Sequence, residues 1–116
     1  MASFFRNKLH QNIGITETEV ISVTTNTRAT IIGLNLTNLT SGIVLASIRL
    51  ELLDPNPPNA VLSEAYYVKD VIVPPNQSLR VINGGEKLIL AGDMKMHIHS
   101  NFEDSLDLVM SYVDIV

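Results

Sequence analysis

Apolar and polar residues alternate over most of this chain, as they do in strands that bury one face of a sheet. The clearest case spans residues 44–52, where apolar residues fill the even positions while Ser47, Arg49 and Glu51 lie at odd ones. Residues 18–24 are instead rich in β-branched side chains, which favour strands over helices. The pattern predicts strands in eight segments: 18–24, 32–37, 44–52, 62–73, 79–81, 87–90, 94–98 and 106–112.

Proline, glycine and asparagine separate these segments and predict turns. Residues 54–59 contain three prolines and cannot continue a ladder, because proline lacks an amide donor. Pro74-Pro75-Asn76 and Asn83-Gly84-Gly85 predict two further turns, the second because Asn and Gly both tolerate positive φ. The pair Gly92-Asp93 is expected to join strands 87–90 and 94–98 as a hairpin.

Seven or eight short strands with turn signals between them predict an all-β chain, a single antiparallel β-sandwich of jelly-roll or immunoglobulin-like type. The chain has 116 residues, which fits one domain. We expect a short N-terminal arm over residues 1–14 and the sandwich over residues 15–116. Residues 3–9 carry the one segment with a possible helical period. The order of the strands stays open at this point.

Composition narrows the function classes. Eight Lys and Arg residues face twelve acidic residues, for a net charge of −4, which disfavours binding to nucleic acid. The chain has no cysteine, so disulfides and thiolate chemistry are absent. No apolar run reaches the length of a secretory signal or a membrane span, so we expect synthesis in the cytoplasm and no membrane partner.

Few side chains suggest chemistry. His97 and His99 share one face of a predicted strand, yet alternation explains them as the outer face of a half-buried strand. Glu103, Asp104 and Asp107 form an acidic cluster without the spacing of a calcium loop. Nucleotide-binding and hydrolase motifs are missing from the sequence. We therefore predict a protein that is not an enzyme, with no metal and no cofactor.

The segment before the first predicted strand has adjacent aromatic residues that need a surface to cover them. Phe4 and Phe5 stand next to Arg6, and Leu9 follows. In one interpretation the two rings plug the open end of the sandwich. In the other, the segment is an arm that contacts a neighbouring subunit, with the Phe side chains as anchors.

Several segments of the chain form a recognisable set of turns and strand patterns: Ser3-Phe4-Phe5-Arg6-Asn7 with Ile13-Gly14, the alternating residues 30–38, Val73-Pro74-Pro75-Asn76, and Gly84-Gly85-Glu86-Lys87-Leu88 with Gly92-Asp93. Together these segments resemble the small virion structural proteins of tailed bacteriophages. The resemblance covers most of the chain, and the chain departs from the family pattern in the loops 54–59 and 100–105.

The resemblance implies a β-sandwich that joins the virion without catalysing a reaction. It would serve as a capsid decoration or cement protein, or as a component of the neck, tail or baseplate. The partners would be further copies of the chain and other virion proteins. We expect the interface among Phe4, Phe5, Arg6, Leu9, Tyr66 and Tyr67. A competing hypothesis is a carbohydrate-binding module for host attachment, in which Tyr66, Tyr67 or the proline loop of residues 54–59 stacks on a sugar.

Overall fold

The computed structural model describes residues 3–82 and 87–116, and these residues form two antiparallel sheets. The expected turn at Asn83-Gly84-Gly85 lies outside the described residues. The strands in chain order are β1 (Ser3–Ile13), β2 (Thr18–Ser22), β3 (Arg28–Asn38), β4 (Val44–Leu53), β5 (Val61–Val73), β6 (Ser78–Ile82), β7 (Leu88–Leu90), β8 (Met94–Ser100) and β9 (Leu106–Ile115).

The strand order is that of a jelly roll. The first sheet has the order β1-β9-β3-β6, with β7 also paired to β3, and the second sheet has the order β2-β8-β4-β5. Strands β1 and β2 lie in different sheets, whereas the first two strands of an immunoglobulin fold are neighbours in one sheet. The predicted antiparallel β-sandwich is therefore confirmed, and its jelly-roll form is the one present.

The alternating residues meet between the two sheets. In β9 every second side chain from Leu106 to Tyr112 is buried, as the sequence pattern predicts. In β3 the alternation holds from Leu34 to Asn38, but a register shift between Ile31 and Gly33 buries Ile31 in place of the expected Ile32. The long apolar side chains of both sheets interlock there and exclude water, which is the main source of stability in such a fold. The largest fully buried side chains are Ile13, Ile31, Leu34, Leu36, Ile48, Ile82, Leu90, Met96, Ile98, Leu106, Leu108 and Met110.

The N-terminal segment forms a strand and not a helix. Residues Ser3–Ile13 pair with β9 as the edge of the first sheet, which adds one strand to the seven or eight expected. Eight consecutive pairs join Ser3–His10 to β9 before the register shifts between His10 and Ile13. The segment that we expected as an arm is thus held to its own domain by backbone pairing.

The expected hairpin of residues 87–90 and 94–98 is wrong. Strand β7 pairs with β3 in the first sheet, while β8 pairs with β2 and β4 in the second. The Gly92-Asp93 turn is present, with Asp93 at φ 68°, but it carries the chain from one sheet to the other. The Asp93 amide donates to Val23 O at 2.8 Å, and Leu53 N donates to Asp93 O at 2.9 Å, so neighbouring loops fix this corner.

Candidate functional site

The edge strand β1 carries two of the interface candidates that the sequence indicated, and their side chains are highly exposed. Phe5 is 82% exposed and Leu9 is 73% exposed, and both point to the outer face of the first sheet. Phe4 is also exposed. Neither ring enters the core, so the interpretation of a plug that closes the end of the sandwich does not match their positions.

Strand β9 continues this apolar surface. Val113 lies directly opposite Phe5, and Val109 lies opposite Leu9. Val109 is itself exposed. We call Phe5, Leu9, Val109 and Val113 the β1 patch. A shallow groove of about 350 Å³ adjoins it, lined by Leu9, His10, Gln11, Asp107, Leu108 and Val109.

The opposite face of β1 carries Phe4, Arg6, Lys8 and His10, and two of its polar side chains bond within the chain. The Arg6 guanidinium lies 3.4 Å from the Asp114 carboxylate and 5.2 Å from the centre of the Phe4 ring. The His10 ring lies 3.4 Å from the Val20 carbonyl of the second sheet. These contacts orient β1, so its apolar residues Phe5 and Leu9 face solvent on the other side.

Tyr66 and Tyr67 lie on β5, the edge strand of the second sheet. Tyr66 is exposed, pairs across the ladder with Arg49, and its ring centre is 5.2 Å from Lys69 Nζ. Tyr67 is partly buried and packs against the core. The two rings therefore have separate surroundings, and neither lies on the strand that carries Phe4, Phe5 and Leu9.

Four connections meet at one end of the sandwich, which we call the loop end. Backbone hydrogen bonds join them: Ser100 N donates to Gly14 O, and Leu39 N donates to Ser105 O, both at 2.8 Å. The buried Ser100 and Ser105 hydroxyls bond each other at 2.7 Å. The connections are residues 14–17, 39–43, 74–77 and 101–105.

The loop end also carries exposed apolar side chains. Ile43 and Phe102 are each 61% exposed. Ile15, which follows Gly14 in the chain, is also exposed. Large apolar side chains exposed on loops that hydrogen bonds hold in place are typical of a contact surface, because their exposure to water is unfavourable. Sequence alternation could not find Phe102, since the residue lies outside any strand.

The outer face of the second sheet holds a network of charges around Arg49. Its Nε and Nη2 donate to both oxygens of Glu17 at 2.9 and 2.8 Å, and its Nη1 donates to Glu51 at 2.8 Å and Glu64 at 3.0 Å. His97 Nε2 lies 2.7 Å from the second oxygen of Glu51. One guanidinium thus binds three carboxylates, which ties β4, β5 and the β1–β2 connection together.

The network lowers the pKa of two of its carboxyl groups. Hydrogen bonds from Arg49 hold the pKa of Glu17 and that of Glu51 below the ordinary 4.5, against the opposing effect of burial. The same bonds raise the pKa of Arg49, so the guanidinium stays charged. Every nitrogen of Arg49 is occupied, which indicates a structural clamp rather than a group free for catalysis.

Replacing Arg49 with methionine is expected to lower the free energy of unfolding at pH 7 by roughly 1–3 kcal/mol, because partly buried carboxylates lose their cation. In the native protein the depressed pKa values stabilise the fold above pH 4.5, and this contribution is lost as pH falls through the folded-state values. In Arg49→Met, the stability that is lost as the pH falls should be smaller, or the change should reverse its sign. Urea unfolding between pH 7 and pH 3 measures both effects.

The control is Lys95→Met, which removes the more exposed pair with Glu19 at 3.1 Å. It should change stability by about 0.5 kcal/mol or less. An Arg49→Met protein with native stability and native pH dependence would contradict the assignment of Arg49 as a clamp.

The residues of the two metal hypotheses lie in different surroundings. His97 Nε2 bonds Glu51, whereas the buried His99 Nδ1 has no hydrogen-bond partner among the described residues and lies 3.9 Å from Glu17. Glu103 accepts the amide of Ile15 at 3.2 Å. Within residues 3–82 and 87–116, no three His, Asp or Glu side chains are arranged to hold a metal ion. In the same residues no helix is long and apolar enough to cross a membrane.

No protein-family model and no curated protein matches this chain. Solved structures do share its fold. A chain of the Bacillus endospore appendages, disulfide-linked pili, is similar over 98% of this chain and 88% of its own, with a TM-score of 0.51 and 6% identity. A chain of the T13 IBDV viral particle is similar over 98% of this chain, with a TM-score of 0.59 and 8% identity. This chain spans 31% of that viral chain, and such identities show the fold alone.

Proposed function

We propose that this chain is a non-enzymatic structural subunit of a tailed-bacteriophage virion, a decoration or cement protein that assembles on the capsid. The observation that carries the proposal is the β1 patch. Phe5 and Leu9 remain largely exposed although the sandwich has a filled core of its own. Covering exposed apolar side chains of this size with another protein lowers the free energy, and a long edge strand is a surface that such a protein can pair with.

The solved structures support this proposal at the level of fold. Both belong to assemblies of many subunits, a viral particle and a pilus. A jelly roll suits such assembly because two rigid sheets present edges and loop ends in fixed positions. The disulfide linkage of the pilus does not carry over, because this chain contains no cysteine.

Two surfaces give the subunit two kinds of contact. The β1 patch contacts further copies, and the loop end with Ile43 and Phe102 contacts the particle. Each contact is small, and repetition by the symmetry of the particle converts modest affinity into stable attachment. A position on the neck, tail or baseplate uses the same surfaces, and binding to separated capsids and tails distinguishes it from a capsid position.

Purified protein should bind virus particles assembled without it and sediment with them. The double variant Ile43→Ser with Phe102→Ser should lose at least about tenfold in affinity, because two exposed apolar anchors are removed from a contact. Binding to tailless capsids supports decoration, and binding to isolated tails supports the neck, tail or baseplate position. A matched control is Ile89→Ser with Leu62→Ser, which removes exposed apolar residues elsewhere. Absence of binding to every particle form would refute the proposal.

A further inference from the structure

The edges of the two sheets differ in how readily they accept another strand. Strand β5 is long, but its pairing with β4 shifts register three times and Asp70 adopts φ 51°. Such irregularities are a common protection of edge strands. Strands β2, β6 and β7 have at most five residues each. Among the described strands, β1 alone offers a long regular edge, over Ser3–His10.

The outward side chains of β1 are arranged symmetrically about Asn7. Phe5 precedes Asn7 by two residues and Leu9 follows it by two, all three on the outer face. In an antiparallel pair of two identical strands centred on Asn7, Phe5 of each copy lies opposite Leu9 of the other. The pattern is therefore complementary to itself, which is the requirement of a two-fold interface.

We propose that two copies of this chain pair through β1, antiparallel and centred on Asn7, so that their first sheets join into one. The occupant of the edge is a second copy, because antiparallel pairing about Asn7 places the apolar Phe5 of each copy opposite the apolar Leu9 of the other. This inference rests on the proposed function and names one of its subunit contacts.

The pairing extends an apolar row across the junction. Within one chain Val113 lies beside Phe5, and Val109 lies beside Leu9. Across the junction the row runs from Val113 through Phe5 to Leu9 and Val109 of the second copy, and it occurs twice. Direct cross-strand neighbours of this kind are the unit of sheet stabilisation. Phe5 of the second copy also faces the groove beside Leu9 and Val109.

Size and charge set the strength of this contact. The regular part of β1 that is symmetric about Asn7, Phe4–His10, is about 24 Å long. Pairing it with a second copy buries on the order of 1,000 Å², the low end for a specific interface. Arg6 lies opposite Lys8 of the second copy, but Asp114 already binds Arg6. The remaining repulsion is screened by salt, so the dimer should tighten as ionic strength rises.

Cysteine cross-linking tests the centre of the pairing, because the native chain has no cysteine. Asn7→Cys places the two thiols opposite each other, and paired strands bring Cα atoms within the 4.4–6.8 Å that a disulfide spans. Mild oxidation should link Asn7→Cys at least about tenfold faster than Ser3→Cys, whose two copies would lie roughly 27 Å apart. A mixture of Phe5→Cys and Leu9→Cys should give the mixed dimer in preference to either homodimer.

The outcomes separate this inference from the proposed function. Fast linking of Asn7→Cys with slow linking of Ser3→Cys supports the pairing. Equal rates for both variants, or no linking of Asn7→Cys while the native protein is an oligomer, overturn the pairing and leave the proposed function standing. A native protein that is monomeric and ignores virus particles overturns both. Circular dichroism of each variant establishes that it is folded before oxidation.

Discussion

Replacing Phe5 and Leu9 together with aspartate should abolish self-association and leave a folded monomer. Both side chains are mostly exposed, so their loss removes little from the core, and the melting temperature should fall by about 3 °C or less. At the interface the change removes two apolar anchors and introduces carboxylates that lose water on binding. We expect the dissociation constant to rise at least about a hundredfold, measured by analytical ultracentrifugation.

The matched control is Leu62→Asp with Ile72→Asp, which adds the same charge to exposed positions of β5. It should associate like the native protein if β1 is the contact. An equal loss of association in both double variants would mean that net charge, and not the β1 patch, controls assembly.

Replacing Asn38 with leucine should lower the free energy of unfolding by roughly 3 kcal/mol or more, because several buried polar groups lose their partner at once. Asn38 is 1% exposed. Its amide donates to Gly42 O at 2.8 Å and Val73 O at 3.0 Å, and its carbonyl accepts from the Thr40 amide and hydroxyl, both at 2.8 Å. These bonds join the end of β3 to the end of β5 beneath the loop end.

Urea unfolding measures this effect, and Thr37→Val is the control. Thr37 neighbours Asn38 in the chain but has one exposed hydrogen bond, to the Ser78 hydroxyl at 2.9 Å. Its loss should change stability by about 0.5 kcal/mol or less. A loss below about 1 kcal/mol for Asn38→Leu would show that water replaces the buried bonds.

The strands that bury one face were predictable from the sequence, because water enforces alternation wherever a sheet covers a core. Strands β3, β4 and β9 follow this rule. Strand β1 does not, since Arg6 and Lys8 lie on its inner face near the edge, where the core does not require apolar residues. Its ladder hydrogen bonds are with β9, almost a chain length away, so no local sequence pattern indicates the strand.

The candidate surfaces were predictable only in part. The sequence indicated Phe4, Phe5 and Leu9 because they had no place in the alternation of the core. It could not reveal Val109 and Val113 beside them, since that neighbourhood depends on the register of β1 and β9. The clamp on Arg49 joins Glu17, 32 residues away, through the folding of two loops and three strands. Long-range pairing of this kind leaves no periodic signal.

The mass of the native protein in solution, measured by sedimentation over a range of concentrations, tests most directly whether this chain works by association. The exposed β1 patch predicts a mass that rises from one chain, 12.8 kDa, to at least two chains as the concentration increases. A mass that stays at 12.8 kDa at the highest concentration, with no gain at high salt, would contradict the account.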